Sequence, residues 1–241
     1  MNNKEFSVLL TDFDETITRN KKISQQTREL LDILKQNGLI DLMIISTGRS
    51  IESFIGAKEK YTIDFYDYVI CSNGAIILDR NNKILLSYHM LEHDKQVVET
   101  IISDFSRSID KVIVSSTHGD IFSLNYIMKN RLEAENMSQK INNLETDIYA
   151  INTTIYVDVM SKNADKWRTY RALMTEILKI NKFYTFSLGD GNNDKSILLN
   201  ADYSYSFKHG ANIAKENVDK ISINIENALS EIIAIQKSNK S

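Results

Sequence analysis

Phe6-Ser7-Val8-Leu9-Leu10-Thr11-Asp12-Phe13-Asp14-Glu15-Thr16-Ile17-Thr18 is the stretch from which the fold is read. Val8, Leu9 and Leu10 form a short apolar run between polar residues, which predicts a strand buried on both faces of a parallel sheet. Two acids follow at once. Residues two apart in extended backbone project to the same side, so Asp12 and Asp14 are expected to face one crevice beyond the strand's carboxyl end. Open α/β sheets hold their ligands there. Two neighbouring carboxylates repel each other unless a cation, a shared proton or well-aimed donors stand by them. A hard divalent ion such as Mg2+ meets that need, although Asp-x-Asp alone also marks ordinary solvated strand ends.

Three later segments are expected at the same sheet edge. Thr47-Gly48-Arg49 follows the apolar run Leu42, Met43, Ile44 and Ile45; Lys166 opens a helical pattern; Gly189-Asp190-Gly191-Asn192-Asn193-Asp194 follows Phe183 to Leu188. Thr47 offers a hydroxyl, Gly48 lets backbone approach a ligand closely, and the helix start after Ser50 presents amide donors suited to a phosphate. Lys166 in a first helical turn gains nothing from the helix dipole, which makes more sense if carboxylates and a phosphate stand opposite it. The last loop supplies two further acids on flexible backbone, without the Glu that would end a twelve-residue calcium loop.

In this order and spacing the four segments resemble the haloacid dehalogenase superfamily of phosphohydrolases, in its Cof-type or class IIB branch with a large inserted cap. Asp12-Phe13-Asp14-Glu15-Thr16 matches the first motif, Thr47-Gly48-Arg49 the second, Lys166 the third and Gly189 to Asp194 the fourth. The resemblance implies an α/β fold, a Rossmann-like parallel sheet core with an inserted α+β cap domain. It implies a Mg2+-dependent phosphohydrolase acting on a small phosphorylated metabolite, such as a sugar phosphate, through an aspartyl-phosphate intermediate. Asp12 is then the nucleophile and Asp14 the general acid, then base. Asp12, the Asp14 backbone carbonyl and Asp190 hold the ion, with Asp194 orienting that shell. Thr47, Gly48, Lys166 and Asn193 meet the phosphate, and Thr16 orders the first loop. Many relatives have Gly where Glu15 stands, so its side chain must turn outward or the backbone must differ. A phosphomutase or sugar-phosphate-specific phosphatase of the same superfamily is a competing reading, and a catalytically quiet sensor of phosphorylated ligands another. The intact acid set argues against the sensor.

The chain has 241 residues, more than the usual domain of roughly 100–150. Net charge is -3, and no sustained Lys/Arg run would track a nucleic-acid backbone. No apolar stretch approaches the ~20 residues that span a bilayer, and with Met1 to Glu5 leading straight into the first strand no signal peptide is expected. With Cys71 as the single cysteine, a cytoplasmic protein is expected, and the thiol itself reads as buried and structural.

Ser24 and Ser50 are expected to cap helices, the first carrying Leu30, Leu31, Ile33 and Leu34 on one stripe and ending at Gly38. Asn73-Gly74 after Tyr66 to Cys71 is a turn signal, and Asn73 is also a candidate to face the substrate. From Ile76 the βα rhythm changes. A hairpin (Ile76 to Leu78 and Ile84 to Leu86), a helix from Glu92, strands at 111–115, 121–126 and 153–159 and a helix within 129–142 predict an inserted antiparallel module. The core is assigned to residues 1–78 and 157–241 and the cap to 79–156. His89 and His93 are four apart but lack supporting ligands, and His118-Gly119-Asp120 reads as a hairpin turn or a substrate-reading tip of the cap.

Overall fold

The computed structural model describes residues 5–117 and 119–240, and in it the opening stretch forms β1 (Phe6–Thr11), near the middle of the larger sheet. Leu9 packs into the core on one face, with Leu34, Phe54 and Phe186. Val8 and Leu10 pack into the core on the other, with Ile44 and Tyr170. Double-sided burial is why this strand reads as an unbroken apolar run, each such side chain contributing about 1.5–3 kcal/mol before entropy is subtracted.

The chain returns from β1 through α1 (Gln25–Gln36), where the Ser24 hydroxyl accepts from the Thr27 amide at 3.0 Å. It then forms β2 (Leu42–Ser46), α2 (Ile51–Tyr61), capped by Ser50 through the Ser53 amide at 3.3 Å, and β3 (Tyr68–Cys71). Gly38, beyond the end of α1, takes φ 57. A hairpin of β4 (Ile76–Asp79) and β5 (Ile84–Ser87) comes next.

The second layer begins with α3 (Glu92–Phe105), β6 (Ile109–Thr117) and β7 (Asp120–Met128), followed by α4 (Arg131–Asn142), β8 (Ile148–Thr153) and β9 (Tyr156–Ser161). These four strands make a separate antiparallel sheet in the order β6-β7-β9-β8. Val98 and Ile101 of α3 and Met137 and Ile141 of α4 close its inner face against Tyr126, Ile148 and Val157. The chain then re-enters the first sheet through α5 (Lys166–Ala172), β10 (Phe183–Leu188), α6 (Lys195–Asn200), β11 (Tyr203–Phe207), α7 (Asn212–Glu216), β12 (Lys220–Ser222) and α8 (Ile225–Lys240). That sheet runs β12-β11-β10-β1-β2-β3-β4-β5, parallel from β12 to β3.

Two expectations are corrected. The assignment of 79–156 to the cap places both boundaries too early. The β4–β5 hairpin is hydrogen-bonded to β3 and extends the large sheet to Ser87, while β9, through Ser161, pairs with β7 and β8 in the small one. A switch from parallel to antiparallel pairing looks in sequence like a change of domain, but the ladder continues across it. The single strand expected at 153–159 is broken at Thr154, whose φ of 56 turns the chain between β8 and β9 without Gly, Pro or Asn to announce it. His89 precedes α3 and shares no helix face with His93. His118 lies outside the described residues. Among the described residues no helix is long and apolar enough to cross a membrane.

Candidate active site

The site is assembled where β1, β2 and β10 end together. Parallel pairing sets Thr11 beside Ile45 on one side and Leu188 on the other, so the segments that follow all emerge on one edge. Asp12 leaves β1 with only 5% of its surface exposed. Its Oδ1 accepts from Lys166 Nζ at 2.8 Å; the same ammonium donates to Asp194 Oδ1 at 2.6 Å and to the Ser46 carbonyl at 3.0 Å. All three Lys166 donors are thereby used, and the side chain is buried. Asp165, the N-cap of α5, accepts from the Arg168 amide at 2.8 Å and fixes the turn that aims Lys166 inward.

Asp194 is fully buried. Its Oδ2 accepts from the amides of Asp190 and Gly191 at 3.0 and 2.8 Å, folding the loop after β10 back on itself. Gly189 is required here because a Cβ would stand 2.6 Å from that of Asp194. Asp190 accepts from the Thr16 hydroxyl at 3.0 Å, which ties the first loop to the last. One oxygen from each of Asp12, Asp190 and Asp194 lies within 4.8 Å of the others.

Three carboxylates around one ammonium leave an excess of negative charge. Burial, then the charge of Asp194, pushes the Asp12 carboxyl well above its ordinary range, with Lys166 opposing. Burial and Asp194 likewise push Asp190 up to about 7, against the Thr16 hydrogen bond. For Lys166 burial works against the charged form, but the charges of Asp12 and Asp194 outweigh it and the pKa is raised. The donor set is oxygen only and short of positive charge, so it fits a hard divalent cation.

Asp14 lines the same cavity as Asp12, but the backbone between them turns and does not continue the strand. The backbone leaves the strand after Thr11, Glu15 takes φ 57, and Asp14 turns to the neighbouring Arg49, which donates to its two oxygens at 2.7 Å each. The Glu15 side chain points outward and stands 3.6 Å from Arg19, while His209 approaches its carbonyl at 2.9 Å. A left-handed residue is where glycine costs least, and Glu15 occupies it at the edge of the cavity, with its carboxylate beside Arg19. Thr47 is buried, and its hydroxyl accepts from the Arg49 amide at 3.2 Å.

Asn73 takes φ 53 and Gly74 φ 109, the turn that Asn-Gly announces. The Asn73 side chain also does more. Its Oδ1 accepts from Asn193 at 2.8 Å, and its Nδ2 donates at 2.9 Å to Asp158 of β9. A Cβ on Gly48 would stand 3.1 Å from that same oxygen, so the loop after β2 packs directly on Asn73. A cavity of about 630 Å³ lies between the two sheets, and Asp12, Asp14, Thr47, Gly48, Asp190 and Asn193 line it. The cap contributes Ser123, Asn125, Tyr156 and Asp158 to its other wall. Arg49 stood within a recognised motif but without a role, and the cap residues carried no signal except a lone Asp between inward-facing Val157 and Val159. Cys71 is buried in the core, and burial raises its thiol's pKa.

Comparison with known proteins follows the same lines. The model of the haloacid dehalogenase-like hydrolase family matches residues 9–148 and 100–233. No curated protein matches the chain. Among solved structures, a haloacid dehalogenase-like hydrolase from B. subtilis superposes with a TM-score of 0.78 at 16% identity, over 94% of this chain and 98% of that one. A superfamily phosphatase from Bacteroides thetaiotaomicron gives 0.75 at 18% identity, over 95% of each chain. A subclass IIB sugar phosphatase gives 0.73 at 16% identity, over 97% and 98%. The capped fold is therefore shared at low identity, and the chain belongs to the haloacid dehalogenase-like hydrolases.

Proposed function

We propose that this protein is a Mg2+-dependent phosphatase that hydrolyses a monoester of a small metabolite, a sugar phosphate or a similar compound. The observation that carries this reading is the meeting of Asp12, Lys166, Asp190 and Asp194, drawn from three separated segments, around one acidic centre beside a cavity. The match to the hydrolase family and the fold shared with phosphatases support it. A buried, unpaired Cys71 suits a cytoplasmic setting.

Asp12 attacks the phosphorus, its bond to the leaving oxygen breaks, and a phosphoaspartyl group forms. Lys166 holds the Asp12 carboxylate in place and offsets its charge. Asp14 gives a proton to the departing alcohol and then takes one from the water that cleaves the acyl phosphate. Arg49 grips Asp14 beside the cavity, so the acid step requires that ion pair to loosen as substrate displaces water. Thr47 keeps its hydroxyl hydrogen for a phosphoryl oxygen, and Gly48 and Asn193 line the adjoining wall, with Asn73 holding Asn193 by a hydrogen bond. Asp12, the Asp14 carbonyl, Asp190 and Asp194 would hold the ion, which when bound supplies positive charge for the phosphoryl oxygens.

Turnover of p-nitrophenyl phosphate, measured with and without EDTA, tests the reading. Wild-type protein should lose activity on chelation, and Asp12→Asn should lose on the order of 10³-fold or more. Metal-dependent turnover persisting in that variant would refute the nucleophile.

A further inference from the structure

The turn at Asn73 sets one side-chain amide among three segments. Its backbone N–H donates to the Thr47 carbonyl at 3.0 Å, and the Ser72 N–H donates to the Arg49 carbonyl at 2.8 Å, so the turn is bound to the loop after β2. The side-chain oxygen packs against Gly48 of that loop, 3.1 Å from where a Cβ would stand. The same oxygen accepts from Asn193 in the loop after β10 at 2.8 Å, and the amide nitrogen donates to Asp158 on cap strand β9 at 2.9 Å. Asn73 is only 2% exposed and does not line the cavity, whereas Asn193 and Asp158 both do. It stands behind the wall and joins its parts.

An amide fits a site either way round, and here the charged partner decides. An ionised carboxylate only accepts, so the Asn73 NH2 group must face Asp158. Its oxygen is thereby turned to Asn193, which must answer with its own NH2 group. The Asn193 oxygen is left on the other side, against Gly191, where a Cβ would stand 2.5 Å from it. Asp158 is held in turn by the Asn125 amide, directly opposite on β7. Burial pushes its carboxyl up to about 6, against the two amide hydrogen bonds, so at about pH 8 it is ionised and the orientation holds. One negative charge on the cap thus sets two core amides in series, and the second directly precedes Asp194. Reversing either amide would set donor against donor or acceptor against acceptor, leaving groups of low exposure unpaired.

We propose that Asn73 is a positioning residue, not a substrate contact: seated on Asp158 of the cap, it orients the Asn193 amide, so that the placement of the cap is transmitted to the phosphate-facing loop after β10. The inference rests on the phosphatase reading and assigns Asn73 an action through Asn193.

The network predicts that amide and carboxylate can be exchanged as a pair. Asn73→Asp alone sets two carboxylates against each other and should lower kcat/KM for p-nitrophenyl phosphate, with Mg2+ at about pH 8, by about tenfold or more. Adding Asp158→Asn reverses the polarity of the link. The new amide then accepts from Asn125 and donates to the new carboxylate, which still accepts from Asn193, and Asp tolerates the left-handed backbone as Asn does. The exchanged pair should return to within about threefold of the wild type. In an Asn193→Ala background, Asn73→Asp should cost a further factor of about two or less, because the group it acts through is gone. A merely structural role would give the same loss in both backgrounds.

All variants are compared below their cooperative melting transitions. A folded Asn73→Asp variant with wild-type kcat/KM overturns the proposal, as does a loss undiminished in the Asn193→Ala background. An exchanged pair that folds without recovering activity also overturns it, since that is the result if either side chain touches substrate directly. Should Asn73→Asp fail to fold, the exchanged pair carries the test, and its own failure to fold counts against the proposal, because every hydrogen bond of the network is restored in it. Wild-type turnover with these outcomes overturns the positioning role alone; a wild type that does not hydrolyse p-nitrophenyl phosphate overturns the phosphatase and the inference with it.

Discussion

At the scale of single residues, the acidic centre has a measurable consequence. Asp190 sits at about 7 in the folded protein against an ordinary 3.8, because burial and Asp194 oppose its ionisation. The folded state thus holds a proton that the unfolded chain releases. Its stabilising contribution is complete below the unfolded value and is lost as pH rises through about 7. Metal-free protein is accordingly expected to melt at a lower temperature at about pH 8 than at about pH 5, with added Mg2+ narrowing the difference. Proton and ion compete for the same oxygens, so the apparent Mg2+ affinity from calorimetry should weaken about tenfold between roughly pH 8 and pH 6. An affinity indifferent to pH would contradict the assignment of Asp190 as a ligand.

Lys166 gives the complementary test. Its ammonium is the group that bridges Asp12 and Asp194, and it is buried with them. Lys166→Met should destabilise the metal-free protein by about 3–5 kcal/mol near neutral pH, the range for breaking a buried pair from one side. Denaturant unfolding should show much of that loss recovered where the two carboxylates become protonated. A variant as stable as the parent at neutral pH would mean that the pair is worth little.

Among the elements, the junction of β3 and β4 is the most constrained. Gly74 holds φ 109, and a Cβ there would lie 2.5 Å from the Asp165 carbonyl carbon, while its own carbonyl accepts from the Thr169 hydroxyl at 2.7 Å. Gly74→Ala should therefore cost at least about 2 kcal/mol by thermal or chemical unfolding, through backbone strain and displacement of the start of α5. This is an element whose turn was legible from Asn73-Gly74, because the residue types state the backbone they need. The same holds for Val8, Leu9 and Leu10, whose two-sided burial is written in three consecutive apolar residues. β8 was not legible, since Thr154 reaches its left-handed conformation without a residue suited to it. The β4–β5 hairpin was read as such, but its attachment to β3 was not, because pairing across a sheet depends on partners that the local pattern does not name. Arg49 was visible in its motif, whereas its grip on Asp14 arises only from how the first loop turns at Glu15. Asn125 and Asp158 are 33 positions apart and become neighbours only through strand register.

Over the whole molecule, two bodies meet beside the cavity through apolar packing, with Phe122 and Met160 of the small sheet in one cluster with Ala75 and Ile76 of the large one, and through polar contacts. Ser72 of the core and Ser115 of β6 are buried with their hydroxyl oxygens 3.0 Å apart. A substrate enclosed between the sheets must be admitted and its products let out, and such gating often limits turnover. In a Cys71→Ser background, Ser72→Cys combined with Ser115→Cys should form a cross-link under oxidation that cuts p-nitrophenyl phosphate turnover by about tenfold or more, with dithiothreitol restoring it. Full activity with the cross-link verified by mass spectrometry would show that the two bodies need not part.

The short run from β9 to α5 bounds how far they can part. Ser161 ends the last cap strand and Lys166 begins the helix that reaches Asp12, leaving residues 162–165 as the tether. Four residues at full stretch cover about 14 Å. The tether is moored besides, since the Ala164 carbonyl is gripped by the Tyr149 hydroxyl of β8 and Asp165 is locked as a helix cap. On this flank the molecule behaves as a book held by its spine: the pages swing widest at the fore-edge, and any large opening stroke on the spine side would drag the charge-balancing lysine away from its carboxylates.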